Sequence, residues 1–150
     1  MGKQVLITGE NSYIGNSLQK YIQKNYMDWQ VDTASVRDDK WREIDYKKYQ
    51  VIIHLAAVVH QKEQPDMQYL YKKVNTDLPV KLARRSKECG VEQFVFLSTM
   101  AVYGDSTPCI TEKTKPQPAA SYGVWQKLPG KLRAAFRSGF KTSVFSQGRK

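Results

Sequence analysis

The stretch Val5-Leu6-Ile7-Thr8-Gly9-Glu10-Asn11-Ser12-Tyr13-Ile14-Gly15 decides how this sequence is read. Val5, Leu6 and Ile7 are consecutive apolar residues without polar alternation. A strand buried on both faces has that pattern, as parallel strands covered by helices do. Gly9 stops the run. Ile14, Leu18, Tyr21 and Ile22 then recur at helical spacing, which predicts a helix from Ile14 to Tyr26. Gly9 permits a tight turn, and Gly15 permits close packing of the helix on the strand.

The same alternation continues outward. Gln30–Val36 reads as a second, weaker strand and Val51–Leu55 as a third, apolar on both faces. Asp66–Cys89 carries one or two helices through Leu70, Val74, Leu78, Leu82 and Ala83, with Gly90 as the stop signal. Gln93–Leu97 reads as a fourth strand. Pro108, Pro116 and Pro118 mark a long loop, and beyond Ser121 the pattern degrades. No internal repeat is present. This order predicts an α/β fold with a mostly parallel sheet.

Composition narrows the class. A length of 150 residues fits one ordinary domain, and 41% hydrophobic with 25% charged residues is globular. The longest apolar run, Val51 to Val59, is interrupted by His54 and falls short of the roughly 20 residues that span a bilayer. The first residues have no long apolar segment and no small-residue cleavage site, so neither a membrane partner nor a secretory signal is expected. Cys89 and Cys109 cannot build a disulfide framework; two reduced thiols point to a cytoplasmic protein. No metal site is expected. Charge is uneven: residues 1–112 hold 15 Lys/Arg and 14 Asp/Glu, whereas residues 113–150 hold 9 Lys/Arg and no acid. A basic arm for nucleic acid would explain that, but the segment lacks a recognisable binding motif, so nucleic acid is not the expected partner.

The glycine turn carries the first chemical expectation. Between a first strand and a helix, such a turn lets backbone N–H groups reach a pyrophosphate at the helix N-terminus. Ser12 holds the middle position of the usual three-glycine pattern. Its Cβ keeps the backbone farther from a phosphate, while its hydroxyl could donate a hydrogen bond. The same residues also read as a plain βα turn with two glycines. An acid expected roughly 20 residues past the turn is not clearly placed. Asp32 lies inside strand 2, Ser35 sits nearer its end, and Arg37 would suit a 2′-phosphate, so NAD and NADP both stay open.

Further segments follow in order: His54-Leu55-Ala56-Ala57, Asn75, Phe96-Leu97-Ser98-Thr99-Met100-Ala101-Val102-Tyr103-Gly104, and Tyr122-Gly123. With the first turn they resemble the N-terminal half of an extended short-chain dehydrogenase/reductase, of the NAD-dependent epimerase/dehydratase kind that acts on nucleotide sugars. The resemblance covers residues 3 to about 123. It implies a Rossmann-like doubly wound parallel sheet, incomplete at its C-terminal side, with NAD or NADP as cofactor. It implies a nucleotide sugar as the full-length family's substrate and allows a homodimer there. By that analogy Gly9, Ser12, Tyr13, Ile14 and Gly15 surround the cofactor pyrophosphate. Ile44 and Asp45 would meet the adenine, with a solvated turn acid as the alternative for Asp45. Leu55, Ala56 and Ala57 leave room for the ribose, and Asn75 supports the site by bonding to neighbouring backbone. His54 is expected to pack or hydrogen-bond within the sheet.

The resemblance also implies the catalytic set. Thr99 would hold the substrate oxygen beside Ser98, and Tyr122 would be the base. A phenol with a pKa near 10 is a poor base at neutral pH, so a lysine ammonium one helical turn along is needed to favour phenolate. Here the sequence departs from the pattern. Residue 126 is Gln, and Lys127 comes one position late, about 100° around a helix. Pro129 and Gly130 follow, and an interior proline costs ~3 kcal/mol. Back-translated and read from the third base, Val124 to Lys131 can encode Val-Ala-Lys-Thr-Ser-Gly-Glu, which restores lysine four after Tyr122. A genuine insertion in a divergent short protein is the alternative. The expectation is a dinucleotide-binding domain over residues 1–120 and a degraded or frameshifted basic tail over 121–150. That chain would be an inactive fragment, or a non-catalytic dinucleotide-binding module.

Overall fold

The structure, a computed structural model, describes residues 2–58, 67–99, 103, 109–111, 113–115, 117 and 141–147. In chain order the elements are β1 (Gln4–Thr8), α1 (Tyr13–Asn25), β2 (Gln30–Ala34), two 3-10 turns (Arg37–Arg42 and Tyr46–Lys48), β3 (Val51–His54), α2 (Met67–Lys72), a π-helical turn (Lys73–Asp77), α3 (Leu78–Glu88), β4 (Gln93–Thr99) and β5 (Lys141–Gln147). The five strands form one sheet in the order β2-β1-β3-β4-β5, and every pairing is parallel. This is the doubly wound Rossmann-like arrangement.

Period-two alternation sends neighbouring strand residues to opposite faces. Leu6, Ile52 and Phe94 stand in one row across β1, β3 and β4. They share a core with Leu82 and Ala83 of α3 and with Val36, Trp41 and Tyr46 of the β2–β3 connection. Val5, Ile7 and Val51 face the other way, where Leu18 of α1 and Trp29 pack against them. Two-sided cover is why these strands read as unbroken apolar runs. β2 is an edge strand with Gln30, Asp32 and Thr33 exposed, hence its weaker signal.

Two helix ends are fixed by local chemistry. Gly90, at φ +83°, closes α3: its N–H donates to Lys87 O at 3.1 Å, and the Val91 N–H donates to Ser86 O at 3.0 Å. That double bond is a Schellman cap, for which a left-handed glycine is the natural residue. Between α2 and α3 the expected helix widens into the π-turn, with the Leu78 N–H donating to Lys73 O. Pro79 has no N–H to return to the carbonyl four residues back, so the regular ladder is interrupted there.

One segment differs from the expectation. Lys141–Gln147, read from sequence as part of a basic tail, pairs with β4 along all seven residues, from Gln93↔Lys141 to Thr99↔Gln147. Only Val144 and Phe145 are apolar in it, so pattern alone does not announce a strand. Cys89 and Cys109 are free thiols. Among the described residues no helix is long and apolar enough to cross a membrane.

The carboxyl ends of the central strands bury polar groups. His54 is fully buried; its Nδ1 lies 2.6 Å from Thr8 Oγ1, and its ring stacks at 6.0 Å from both Phe94 and Phe96. Burial pushes its pKa from 6.5 down to about 3. The folded ring therefore stays neutral while the unfolded chain takes up a proton below pH 6.5. Stability should be complete above that pH and decline as pH falls towards 3, by about 1.4 kcal/mol per unit for one proton. Urea unfolding from pH 4 to 8 should show this slope reduced by one proton in His54→Leu, which should also be less stable at pH 8 because Thr8 loses its partner. Identical slopes in parent and variant would rule out a neutral buried ring.

Candidate functional site

The exits of β1, β2 and β3 are tied at one point. The Gly9 N–H donates to Ala34 O at 3.2 Å, and the Leu55 N–H donates to Thr8 O at 3.1 Å. Gly9 has φ +95°, and a Cβ on it would stand 2.9 Å from Ala56 N. Both the backbone angle and the space therefore require glycine. Asn11 takes up a second left-handed position in this turn, at φ 64°. Asparagine tolerates that conformation better than most residues.

Ser12 caps α1. Its Oγ accepts from the Gly15 N–H at 3.0 Å, which leaves the hydroxyl proton able to donate outward. A Cβ on Gly15 would meet that same Oγ at 2.7 Å. The remaining first-turn N–H groups, on Tyr13 and Ile14, have no acceptor within the helix. Together with the helix dipole they make this end attractive to an anion.

A cleft of about 920 Å³ opens over the turn. Gly9 to Ser12 form one wall, and Ser35 to Asp39 with Trp41 form the wall that follows β2. Leu55 to Val58 continue from β3, and Leu70, Lys73, Val74, Leu78 and Lys81 come from the α2–α3 side. The site lies where the chain, having laid β2 on one side of β1, crosses to lay β3 on the other. In open parallel sheets ligands bind at such a switch point, beyond the carboxyl ends of the strands.

Asn75 holds the β3 exit from behind. It is buried in the π-turn; its Oδ1 accepts from the Val58 N–H at 2.8 Å, and its Nδ2 donates to Val58 O at 2.9 Å. One amide thus satisfies both backbone groups of a cleft residue. Across the cleft, the Tyr46 hydroxyl donates to Trp41 O at 2.8 Å, and burial raises its pKa. Trp41 Nε1 donates to Asp39 Oδ1 at 3.0 Å, and the Arg42 guanidinium lies 4.4 Å over the Trp41 ring.

Of the residues singled out from sequence, the structure brings Gly9, Ser12, Arg37, Leu55, Ala56 and Ala57 into the cleft wall. Gly15 is buried behind Ser12, and Asn75 reaches the site through Val58. Tyr13 is exposed and outside the wall. Ile44 and Asp45 are not brought in: Ile44 packs on the core beside Trp41 and Tyr46, and the Asp45 carboxylate lies 3.7 Å from Lys48 Nζ. Thr99 ends β4, but its side chain, Tyr122 and Lys127 lie outside the described residues. Sequence reading missed Trp41, Lys73 and Lys81. Long chain crossings deliver them, and no local pattern marks them. Among the described residues no cluster of His, Cys, Asp and Glu could hold a metal ion.

Comparison with known proteins agrees with this geometry. The sequence model of the NAD dependent epimerase/dehydratase family matches residues 5–128. UDP-glucose 4-epimerase of Vibrio cholerae is 28% identical over 124 residues, covering 71% of this chain and 38% of that protein. A short-chain dehydrogenase/reductase superfamily protein from Agrobacterium tumefaciens, solved with bound NAD, superimposes with a TM-score of 0.77 at 21% identity over 94% of this chain and 48% of that one. UDP-glucuronic acid 4-epimerase from Bacillus cereus, solved with UDP-glucuronic acid and NAD, gives a TM-score of 0.75 at 22% identity over 95% of this chain and 55% of its own. The chain therefore spans about half the length of these proteins or less.

The Asn75 clamp makes a direct prediction. Asn75→Ala leaves the Val58 N–H and C=O without partners and should cost about 1–3 kcal/mol in urea unfolding. Asn75→Asp restores the acceptor but not the donor and should fall between parent and alanine variant. Equal stability of Asn75→Ala and parent would show the clamp to be idle.

Proposed function

Because the chain belongs to the NAD dependent epimerase/dehydratase family, we propose that its cleft binds NAD or NADP and that the surrounding chemistry is that of an enzyme epimerising, dehydrating or reducing a nucleotide-linked sugar. The observation that carries this reading is the turn at Gly9. It passes the β3 exit so closely that a Cβ would lie 2.9 Å from Ala56 N, and it opens directly into the cleft. A pyrophosphate suits such a cradle: Ser12 offers its hydroxyl proton, and Tyr13 and Ile14 offer free N–H groups through their backbone alone. Leu55, Ala56 and Ala57 keep the floor low for a ribose, and Asn75 holds that floor through Val58.

When bound, the nicotinamide ring supplies the hydride acceptor and donor. The protein's own task is the proton at the sugar hydroxyl. In the proposed assignment Thr99 holds that oxygen and Tyr122 removes the proton, provided a cation nearby favours phenolate. Lys127 follows Tyr122 by five residues rather than four, a spacing that on a helix would place the two about 100° farther apart in rotation. Without a cation beside it, a phenol is a poor base at neutral pH. We therefore propose that this 150-residue chain binds cofactor without measurable turnover, as a non-catalytic dinucleotide-binding form of its family.

Calorimetric titration with NAD⁺ and with NADP⁺ tests the binding half. The parent should bind at least one of them, and Gly15→Val should weaken binding by about tenfold or more, because the added side chain displaces the Ser12 cap and the helix end with it. Circular dichroism checks that the variant is folded. Absence of binding by the parent, or equal affinity in the variant, would sink the site assignment. For the second half, UDP-glucose and UDP-glucuronic acid should show no epimerisation with the purified chain. Turnover that disappears in Tyr122→Phe would overturn the non-catalytic reading.

A further inference from the structure

In the cleft wall that follows β2, the first charged side chain past the strand is a cation, Arg37, and the acids Asp38 and Asp39 come after it. In a βαβ dinucleotide site, a carboxylate past the second strand accepts from the 2′-hydroxyl, whereas an arginine nearby accommodates a 2′-phosphate. β2 ends at Ala34, and the next side chains in the wall are those of Ser35, Val36 and Arg37. The strand's own acid is committed elsewhere: Asp32 Oδ2 accepts from the Tyr49 hydroxyl at 2.8 Å, and Asp32 is not part of the cleft wall. Asp39 does line the cleft, but Trp41 Nε1 donates to its Oδ1 at 3.0 Å, and Arg42 Nε lies 3.8 Å from the same oxygen.

Two cations reach this part of the cleft. Arg37 is exposed in the cleft and makes no ion pair among the described residues. Lys81 lines the same cleft from α3 and is likewise unpaired among the described residues. α3 and the segment after β2 pack on a common core through Leu82, Val36 and Trp41, so the two cations stand on adjoining elements. Ser35 Oγ accepts from the Arg37 N–H at 3.4 Å, which leaves its hydroxyl proton to donate outward.

We propose that this cleft selects a 2′-phosphorylated dinucleotide, NADP(H), with Arg37 forking onto the 2′-phosphate, Ser35 donating its hydroxyl, and Lys81 adding positive charge from α3. The inference rests on the reading of the cleft as a dinucleotide site. A phosphomonoester carries about −1.5 to −2 charges at neutral pH, and an arginine fork meets two of its oxygens at once. Asp38, the next residue in the wall, opposes such a dianion and is the acid that would serve an unphosphorylated ribose instead.

The test is calorimetric titration of the 150-residue chain with NADP⁺, NAD⁺ and adenosine 2′,5′-bisphosphate, none of which requires turnover. The parent should bind NADP⁺ more tightly than NAD⁺ by about tenfold or more, as a charge-assisted fork on one partner only would give. Arg37→Gln should bring the two within about threefold while leaving NAD⁺ affinity nearly unchanged, and Arg37→Lys should keep part of the preference. Adenosine 2′,5′-bisphosphate should follow NADP⁺ through this series. Asp38→Asn should tighten NADP⁺. Preference for NAD⁺ by the parent, or loss of NAD⁺ affinity in Asp38→Asn with no effect of Arg37→Gln, would overturn the inference and leave the dinucleotide reading intact. Failure of all three ligands to bind the parent would overturn both.

Discussion

Gly9 sits where three strand exits meet, and a Cβ there would stand 2.9 Å from Ala56 N. The rest of the site is arranged around that contact. With no side chain at Gly9, β3 can run past the turn and lay Ala56 to Val58 along the cleft floor. Val58 then meets the Asn75 amide, and Asn75 is presented by a π-turn whose interruption falls next to Pro79. α3 continues from that turn and carries Lys81 into the cleft. A side chain at position 9 would thus displace more than a loop. It would move the element that links the anion-attracting helix end to the opposite wall.

The polar groups buried beside this point are held by the same geometry. Thr8, His54 and Phe96 are register partners in one row across β1, β3 and β4. Thr8 and His54 satisfy each other, and Phe94 and Phe96 exclude water from the ring. His54 Nε2 in this row and Ser98 Oγ two residues beyond Phe96 are buried and have no hydrogen-bond partner among the described residues. Unpaired buried polar atoms are uncommon in sheet interiors. Here they cluster at the carboxyl end, where the apolar sheet gives way to the cleft. Burial also holds the imidazole neutral, so it contributes shape and one hydrogen bond without placing a charge beside the cleft.

What could be read from the sequence follows from how far each feature reaches. β1, β3 and β4 were legible because helices cover both their faces, so Val5-Leu6-Ile7 and Val51-Ile52-Ile53 are unbroken apolar runs. The turn was legible because Gly9 and Gly15 answer local backbone demands that few other residues meet. The wall after β2 was legible only at Ser35 and Arg37, from their distance past the turn. Trp41 and Lys81 reach the cleft through crossovers that no local period records. Ile44 and Asp45 were placed by analogy; in the structure Ile44 packs on the core and the exposed Asp45 lies beside Lys48. The π-turn was hidden because Lys73 to Asp77 carry no helix breaker, and Pro79 is a cue only once the helix on both sides is known.

β5 changes what can be said about the end of β4. Its two apolar residues did not mark it as a strand, although it pairs with β4 along all seven residues. The pairing makes β4 an interior strand, backed by β3 from Gln93 to Phe96 and by β5 as far as Thr99. A residue at a strand end gains positional precision from backbone bonds to a neighbouring strand. The backbone of Thr99 has that support in this chain. The departure from the family pattern therefore lies farther along. It concerns the spacing of Lys127 from Tyr122, five residues rather than four, and it involves no residue of the Gly9–Gly15 turn. In the proposed assignment that spacing bears on proton transfer, whereas cofactor binding rests on the turn at Gly9.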